Sequence, residues 1–283
     1  MSVPLLFPGA RVGVFAPSHR FDESKLAAGL SIAEGWGLEL VEAPTLRAAH
    51  RYLAGSDVQR GADLSWALTD PSLDAAWLVR GGSGLARLLD GVHWEAVVDR
   101  PVIGFSDATS LLVALHQRAG ISGVHGPVLH SLHGSDEASR AALRDLLFEG
   151  TGPPWSGHML CPGSAEGPVV GGNLCVLAST CGTPDQLDAR GAILVLEEVG
   201  EAPYRLDRCL HQLRRAGVLD GLVGVAVGEL APAHPDHRAI LEEVFGGSDI
   251  PVLVDAPVGH GTRNLAFRVG ARAHLAEGVL RWR

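Results

Sequence analysis

Short apolar segments alternate with amphipathic segments along the first 150 residues of this chain. The apolar segments predict strands at 11–16, 38–41, 74–79 and 101–105. The amphipathic segments have helical spacing at 23–34, 57–68, 107–118 and 137–148. Strands that alternate with helices in this way predict a parallel sheet with helices on both faces, and therefore an α/β fold. Ligands of such sheets bind beyond the carboxyl ends of the strands.

The second half repeats this pattern after a change in composition. Residues 151–167 are rich in Gly and Pro and have little periodicity, which favours a linker. Beyond them the pattern predicts strands at 192–196, 222–227 and 251–254, helices at 206–216 and 235–245, and an antiparallel tail at 265–282. We therefore predict an N-terminal domain at 1–150, a linker at 151–167 and a C-terminal domain at 168–283.

Composition excludes several classes of function. The 283 residues are 46% hydrophobic and 19% charged, which is typical of a folded globular protein. The net charge of −9 argues against nucleic acid as a partner. A membrane is not expected as a partner either, because no apolar run approaches the roughly 20 residues that span a bilayer. Residues 1–10 lack the pattern of a signal peptide.

The cysteines and histidines do not form a metal-binding pattern. The four cysteines show no C-x-x-C spacing, and we interpret them as free thiols, with Cys175 and Cys181 buried in a helical segment. The 13 histidines include no H-E-x-x-H motif. We therefore expect neither a metal site nor a cofactor.

Ser106 lies where a predicted buried strand turns into a predicted helix. Such a turn raises the hydroxyl out of the sheet and places it beside the free N–H groups of the helix start. Those N–H groups can stabilise an anion, as a tetrahedral intermediate requires. Taken alone, the position also suits a serine that merely caps the helix.

Two further polar residues follow apolar strands. Glu197 ends a strand whose body is entirely apolar, and His260 lies between two glycines just after another strand. Taken alone, Glu197 could cap a helix or pair with Arg205 or Arg208, and His260 could be a hydrogen-bonded loop residue. Together with Ser106 they supply the three groups of a serine hydrolase, which are a nucleophile, an orienting acid and a general base.

The chain resembles the LD-carboxypeptidases, a family of serine peptidases that includes the microcin C immunity peptidases. The motifs that carry the resemblance occur in order along nearly the whole chain. They are VFAPS at 14–18, RGG at 80–82, GFSD at 104–107, HGP at 125–127, GGNL at 171–174, LEEVGE at 196–201, YRLDR at 204–208 and GH at 259–260. Each motif alone is weak, but their joint order and spacing are specific.

The resemblance implies a flavodoxin-like N-terminal α/β domain and a C-terminal swivelling β/α domain, with the active site between them. Matched motif by motif, it implies Ser106 as nucleophile, Glu197 as acid and His260 as base. It also implies a muropeptide tetrapeptide as substrate, from which the terminal D-Ala is cut after an L-configured diamino acid. Peptidoglycan recycling, a cytoplasmic location and a homodimer follow from the same resemblance.

Other residues of these motifs are candidates for substrate contacts. The oxyanion would face the N–H of Asp107 and an N–H of Gly81 or Gly82, while the Asp107 side chain is predicted to cap the helix start. Arg80 is a candidate for binding the terminal carboxylate, although a structural salt bridge under the glycine turn is equally compatible. His125 is the rival general base.

The sequence departs from the family pattern at several places. Ser83 stands where many relatives have an aromatic residue, and Glu198 stands where Asp is commoner. Residues 151–167 are short beside the loop of the immunity peptidases, and Trp155 within them is interpreted as a packing residue rather than a purine platform. An immunity-type amidase acting on peptidyl or aminoacyl nucleotides and a non-catalytic small-molecule-binding domain remain the alternatives. The preferred diamino acid, lysine or meso-diaminopimelate, stays open.

Overall fold

The computed structural model describes residues 4–283. Most helices in this range lie close to the positions that the sequence pattern predicts, and Leu129–Leu132 is a short helix that the pattern does not predict. The helices are α1 (Glu23–Gly35), α2 (Asp57–Thr69), α3 (Thr109–Ala114), α4 (Leu129–Leu132), α5 (Glu137–Glu149), α6 (Leu174–Ser179), α7 (Pro203–Arg215) and α8 (Pro235–Phe245). Polar side chains cap the N-termini of the longer helices in the first half of the chain. Asp22 caps α1, Ser56 and Gln59 form a capping box on α2, and Asp136 caps α5.

The first sheet has the strand order of a flavodoxin-like fold. Five parallel strands follow the order 2-1-3-4-5, and a sixth, antiparallel strand adds to the edge beside β5. The parallel strands are β1 (Arg11–Phe15), β2 (Glu39–Glu42), β3 (Ala75–Leu78), β4 (Val102–Gly104) and β5 (Val124–His125). The sixth is β12 (Phe267–Arg268), which comes from the far end of the chain. The predicted α/β class with a parallel sheet is confirmed.

The second sheet has a parallel centre with antiparallel edges. Its order is β6-β14-β13-β8-β9-β10-β11-β7, in which β8 to β11 run parallel. The central strands are β8 (Ser164–Asn173), β9 (Ile193–Val199), β10 (Gly224–Ala231) and β11 (Val252–Val254). The edge strands are β6 (Trp155–Ser156), β7 (His158–Cys161), β13 (Arg272–Ala276) and β14 (Val279–Trp282).

Residues 151–167 differ from the linker that their composition predicts. They contain β6, β7 and the start of β8, all paired into the second sheet. Trp155 is fully buried between Phe267 and Trp282, with ring centroids 5.4 and 5.2 Å away, so its interpretation as a packing residue is confirmed. Short edge strands need few apolar residues, because one of their sides faces solvent, and the alternation that marks longer strands is therefore absent.

The four cysteines are free thiols, as predicted, but their burial differs from the prediction. Cys161 is buried, whereas Cys175 and Cys181 are half-buried. Across residues 4–283, the helices are all too short or too polar to cross a bilayer.

Gly29 provides a test of how α1 packs on α4. A Cβ atom at Gly29 would collide with the backbone carbonyl of Leu129, which cannot move as a flexible side chain could. We expect Gly29→Ala to lower the free energy of unfolding by about 1–3 kcal/mol, measured by urea denaturation. Gly35→Ala in the same helix is the control, since its Cβ would meet nothing within 4 Å. Equal stabilities of the two variants would contradict the close packing.

Candidate active site

Ser106 occupies a strained turn between β4 and α3. Its φ is +64°, a left-handed conformation that non-glycine residues adopt at a cost of about 1–2 kcal/mol. Residues Ser106–Ala108 form a 3₁₀ turn that leads directly into α3. Gly104 makes the turn possible, because a Cβ there would lie 2.8 Å from Cβ of Ala108. Strain of this kind, held in place by its surroundings, presents the half-buried Ser106 hydroxyl beyond the sheet.

The side chain of Asp107 is not the helix-start cap that the sequence predicts. The carboxylate is buried and accepts hydrogen bonds from the Ser18 hydroxyl at 2.6 Å and from the Leu85 N–H at 3.0 Å. It therefore links the end of β1 to the glycine-rich loop after β3. Ser18 and Leu85 lie 89 and 22 residues from Asp107 along the chain, so these partners exist only in the folded protein and a local sequence pattern does not reveal them.

The glycine-rich loop lies directly against Ser106. A Cβ on Gly81 would lie 2.9 Å from Cβ and 3.0 Å from Oγ of Ser106, so only a glycine lets the backbone approach the hydroxyl this closely. Gly82 has φ +122° and packs on the ring of His19. Ser83 is exposed at the mouth of this loop. The structure thus brings Gly81 together with Ser106, whereas Ser83 faces solvent.

Glu197 pairs with His260 rather than with Arg205 or Arg208. Its Oε2 lies 2.6 Å from Nδ1 of His260, and its side chain is fully buried. Arg205 instead approaches Glu201, and Arg208 lies over the ring of Tyr204. Because Nδ1 is committed to the carboxylate, Nε2 is the ring nitrogen that remains for a proton from another group.

Two opposing effects act on the His260 imidazole. Burial disfavours its charged form and lowers the pKa, but the hydrogen bond and charge of Glu197, with weaker contributions from Glu198 and Glu229, raise it. The carboxylates win, and the pKa of His260 lies above its ordinary value. A base with a raised pKa accepts a proton more readily, as a general base must.

Phe105 connects the two halves of the site. It directly precedes Ser106, and its ring centroid lies 4.7 Å from that of His260. Nearby, the N–H of Asn173 donates to the hydroxyl of Thr109 at 3.0 Å, and Asn173 pairs with Glu197 between β8 and β9. The first sheet thus supplies the hydroxyl, and the second sheet supplies the carboxylate and imidazole. Sequence reasoning missed Phe105, although its place beside Ser106 in the GFSD motif was the available signal.

His125 occupies a different environment from His260. It is fully buried against Phe105 and Phe267, and burial lowers its pKa to about 4, although the charge of Glu197 opposes this. Neither ring nitrogen has a hydrogen-bond partner among residues 4–283. A carboxylate orients His260 but not His125, and the geometry therefore favours His260 over its rival.

Two other predicted residues have structural partners. Arg80 donates to the carbonyl of Arg20 at 2.8 Å, so its guanidinium bonds a backbone carbonyl rather than the carboxylate of a salt bridge. Glu198 is buried and accepts from the N–H groups of Cys175 and Val199, at 2.7 and 2.8 Å. Among the residues that the structure describes, no three His, Cys, Asp or Glu side chains are grouped so as to hold a metal ion.

Comparison with known proteins places this architecture in a family. Models of the LD-carboxypeptidase N-terminal and C-terminal domains match residues 12–126 and 166–275. A putative carboxypeptidase of Streptomyces coelicolor is 41% identical over 97% of this chain and 94% of its own length. A murein tetrapeptide carboxypeptidase of Pseudomonas aeruginosa is 37% identical over 96% of this chain and 95% of its own length.

Among solved structures, muramoyltetrapeptide carboxypeptidase from Oxalobacter formigenes superposes with a TM-score of 0.87. It is 26% identical and covers 96% of this chain and 98% of its own. Both halves of the chain, in the order and at the spacing of the motifs described above, therefore match one family of two-domain serine peptidases. The chain belongs to the LD-carboxypeptidase family.

Proposed function

We propose that this protein is a serine LD-carboxypeptidase that removes the terminal D-Ala from muropeptide tetrapeptides. The observation that carries the proposal is the buried Glu197–His260 pair, which lies against the residue next to the strained Ser106. Membership of the LD-carboxypeptidase family supports the reaction class. The bond to be cut joins the L-centre of a diamino acid to D-Ala.

In this mechanism the chain's own groups perform acyl transfer. Nε2 of His260 removes the proton of Ser106 as Oγ attacks the peptide carbonyl, and the resulting imidazolium then protonates the departing D-Ala amine. Water repeats the sequence on the acyl-enzyme and releases the shortened peptide. Glu197 holds the imidazole through Nδ1 and stabilises its positive charge, which is most valuable in a buried site.

The backbone around Ser106 is proposed to bind the developing oxyanion. The N–H of Asp107 directly follows the nucleophile, and the glycine-rich loop passes close to the Ser106 side chain at Gly81. Each such donor contributes roughly 3–4 kcal/mol to the transition state. Arg80 bonds the carbonyl of Arg20 through Nη1. We propose that the rest of its guanidinium binds the terminal carboxylate of the substrate.

We further propose that the enzyme acts in cell-wall recycling in the cytoplasm as a homodimer. A small peptide with a free carboxylate is the expected substrate, and no nucleic acid or membrane is required. The cytoplasm is the compartment in which a recycled tetrapeptide would meet the enzyme.

The direct test is incubation with a tetrapeptide muropeptide, followed by mass spectrometry. We expect loss of one D-Ala by the natural protein and no loss by Ser106→Ala, within the detection limit. An intact peptide, together with hydrolysis of a peptidyl or aminoacyl nucleotide, would instead favour the immunity-type amidase. Failure of both substrates, with no phosphonylation of Ser106 by a fluorophosphonate, would favour a binding domain without catalysis.

Two substitutions at Ser106 separate chemistry from folding. Both Ser106→Ala and Ser106→Gly should be inactive, because neither has a nucleophile. Glycine adopts φ +64° without strain, so Ser106→Gly should be about 1 kcal/mol more stable to urea than Ser106→Ala. Equal stability would mean that the turn is not strained, and retained activity would remove Ser106 as nucleophile.

The Glu197–His260 pair predicts which of two substitutions lowers kcat more and in which direction the pKa of His260 changes. Glu197→Gln should reduce kcat by about 10⁴-fold and His260→Ala by about 10⁶-fold, because the amide keeps an orienting contact but loses the charge. In Glu197→Gln the pKa of His260, followed by NMR, should fall below that of the natural protein, since burial remains and its main opponent is gone. Equal rates for both variants and the natural protein would point to His125 as base.

Ser83 is proposed to influence the choice of diamino acid. A hydroxyl where relatives have an aromatic ring leaves room and adds a donor and an acceptor, which suits the second carboxylate of meso-diaminopimelate. Ser83→Tyr should therefore lower kcat/KM on the diaminopimelate tetrapeptide more than on the lysine tetrapeptide. An equal fractional loss on both peptides would show that Ser83 does not contact the diamino side chain.

A further inference from the structure

The loop that presents His260 contains two glycines that leave its backbone free to adopt many conformations. It follows β11 and carries a glycine on each side of the histidine, with Gly259 at φ +150°. Glycine has the largest conformational freedom of any residue in the unfolded chain, so a loop of this composition needs outside contacts to keep one conformation. In the proposed mechanism, displacement of His260 would misalign its Nε2 with the Ser106 hydroxyl.

Glu229 supplies such contacts on both sides of His260. Its backbone N–H donates to the carbonyl of Val258 at 2.8 Å, and its Oε2 accepts a short hydrogen bond from the N–H of Gly261. One residue therefore bonds the chain two positions before and one position after the imidazole. A carboxylate that accepts from a backbone N–H forms one of the stronger kinds of hydrogen bond.

The local geometry is built for this approach. Glu229 lies on β10 where the register against β9 shifts, between Val227 and Leu230, and an irregularity of this kind re-aims a side chain. A Cβ on Gly259 would lie 2.6 Å from Cβ of Glu229, and a Cβ on Gly261 would lie 2.6 Å from its Oε2. Both glycines thus allow the loop to close onto Glu229.

We propose that Glu229 is a positioning residue, which clamps the His260 loop through its N–H and carboxylate and so keeps the imidazole aligned between Glu197 and Ser106. This role rests on the proposed function of His260 as general base. Glu229 itself is exposed, and its hydrogen bonds go to the backbone of Val258 and Gly261 rather than to the imidazole.

The negative charge of Glu229 also acts on the His260 imidazole. The titratable groups that act on His260 are Glu197 and Glu198 on β9, Glu229 on β10 and His125 on β5. Burial lowers the pKa of His260, and the three carboxylates together raise it. Loss of the Glu229 carboxylate therefore removes one contribution directly, and displacement of the loop weakens the larger contribution of Glu197.

Substitutions at Glu229 separate positioning from general stability. Glu229→Ala should lower kcat by roughly 10- to 100-fold with little change in KM, the size expected for misplacing a catalytic group by about 1 Å. Glu229→Gln should recover most of that loss, because its amide oxygen can still accept from Gly261. Glu243→Ala, at an exposed glutamate of α8, is the matched control and should behave as the natural protein.

A double-mutant cycle tests the contact itself. In Gly261→Ala the new methyl group would displace the Glu229 carboxylate, so this variant should lose activity to a similar degree as Glu229→Ala. The double variant should then be no worse than either single variant, since both remove one interaction. Additive losses would mean that Glu229 and Gly261 act independently, and would overturn the clamp.

Two readouts keep this inference separate from the choice of substrate. The first is the rate at which a fluorophosphonate phosphonylates Ser106, with loss of fluoride, a reaction that depends on His260 but requires no muropeptide. The second is the pKa of His260 by NMR, expected to fall in Glu229→Ala and to fall less in Glu229→Gln. If the natural protein does not cleave muropeptide, the proposed substrate fails while both readouts still report on the clamp. A natural phosphonylation rate and an unchanged pKa of His260 in Glu229→Ala would overturn the clamp, as would a Glu229→Gln variant that is phosphonylated as slowly as Glu229→Ala.

Discussion

The close approach of the two sheets at Gly172 is the constraint on which the site depends. A Cβ at this position would lie 2.5 Å from Oγ1 of Thr109 and 3.2 Å from Cδ2 of His125, and φ is +146°. The next residue, Asn173, donates to Thr109 and pairs with Glu197 between β8 and β9. Any side chain at Gly172 would separate the sheets, and the carboxylate and imidazole would move away from the nucleophile with the second sheet.

The site carries energetic costs that the surrounding core must offset. Ser106 holds a left-handed backbone, and the carboxylates of Asp107 and Glu197 are buried. Burying a carboxylate costs several kcal/mol even after relaxation, while a hydrogen bond to a charged group contributes about 1.5–3 kcal/mol. The two bonds to Asp107 therefore roughly balance its burial, and what they provide is position: they hold the glycine loop beside Ser106.

The sequence predicts the parts of this molecule that depend on local pattern. The strands and helices around Ser106, the parallel sheet and the turn itself follow from apolar spacing, and Glu197 and His260 follow from polar residues that end apolar strands. Asp107 was mispredicted as a cap, because its partners Ser18 and Leu85 become neighbours only when β1 and the glycine loop meet. The strands within residues 151–167 are not predicted from composition, because Gly and Pro obscure the pattern of short edge strands. Glu229 carries the same signal as Glu197, an acid after an apolar run, but only the register shift in β10 reveals what it contacts.

The chain path after His260 couples the two halves in a way that composition does not reveal. Seven residues beyond the histidine, Phe267 pairs with His125 as β12 joins the first sheet, and the chain then returns to the second sheet through β13. If the chain is divided into domains at 151–167, as we propose from composition, β12 belongs to the C-terminal domain by sequence but to the first sheet by pairing. Separation of the two sheets would break the pairing of β5 with β12 and the hydrogen bond between Asn173 and Thr109. The histidine loop is thus held at two places, by the contacts of Glu229 on β10 and by β12, which follows the loop in the chain. The alignment of base and nucleophile therefore depends on the contacts between the two sheets rather than on either sheet alone.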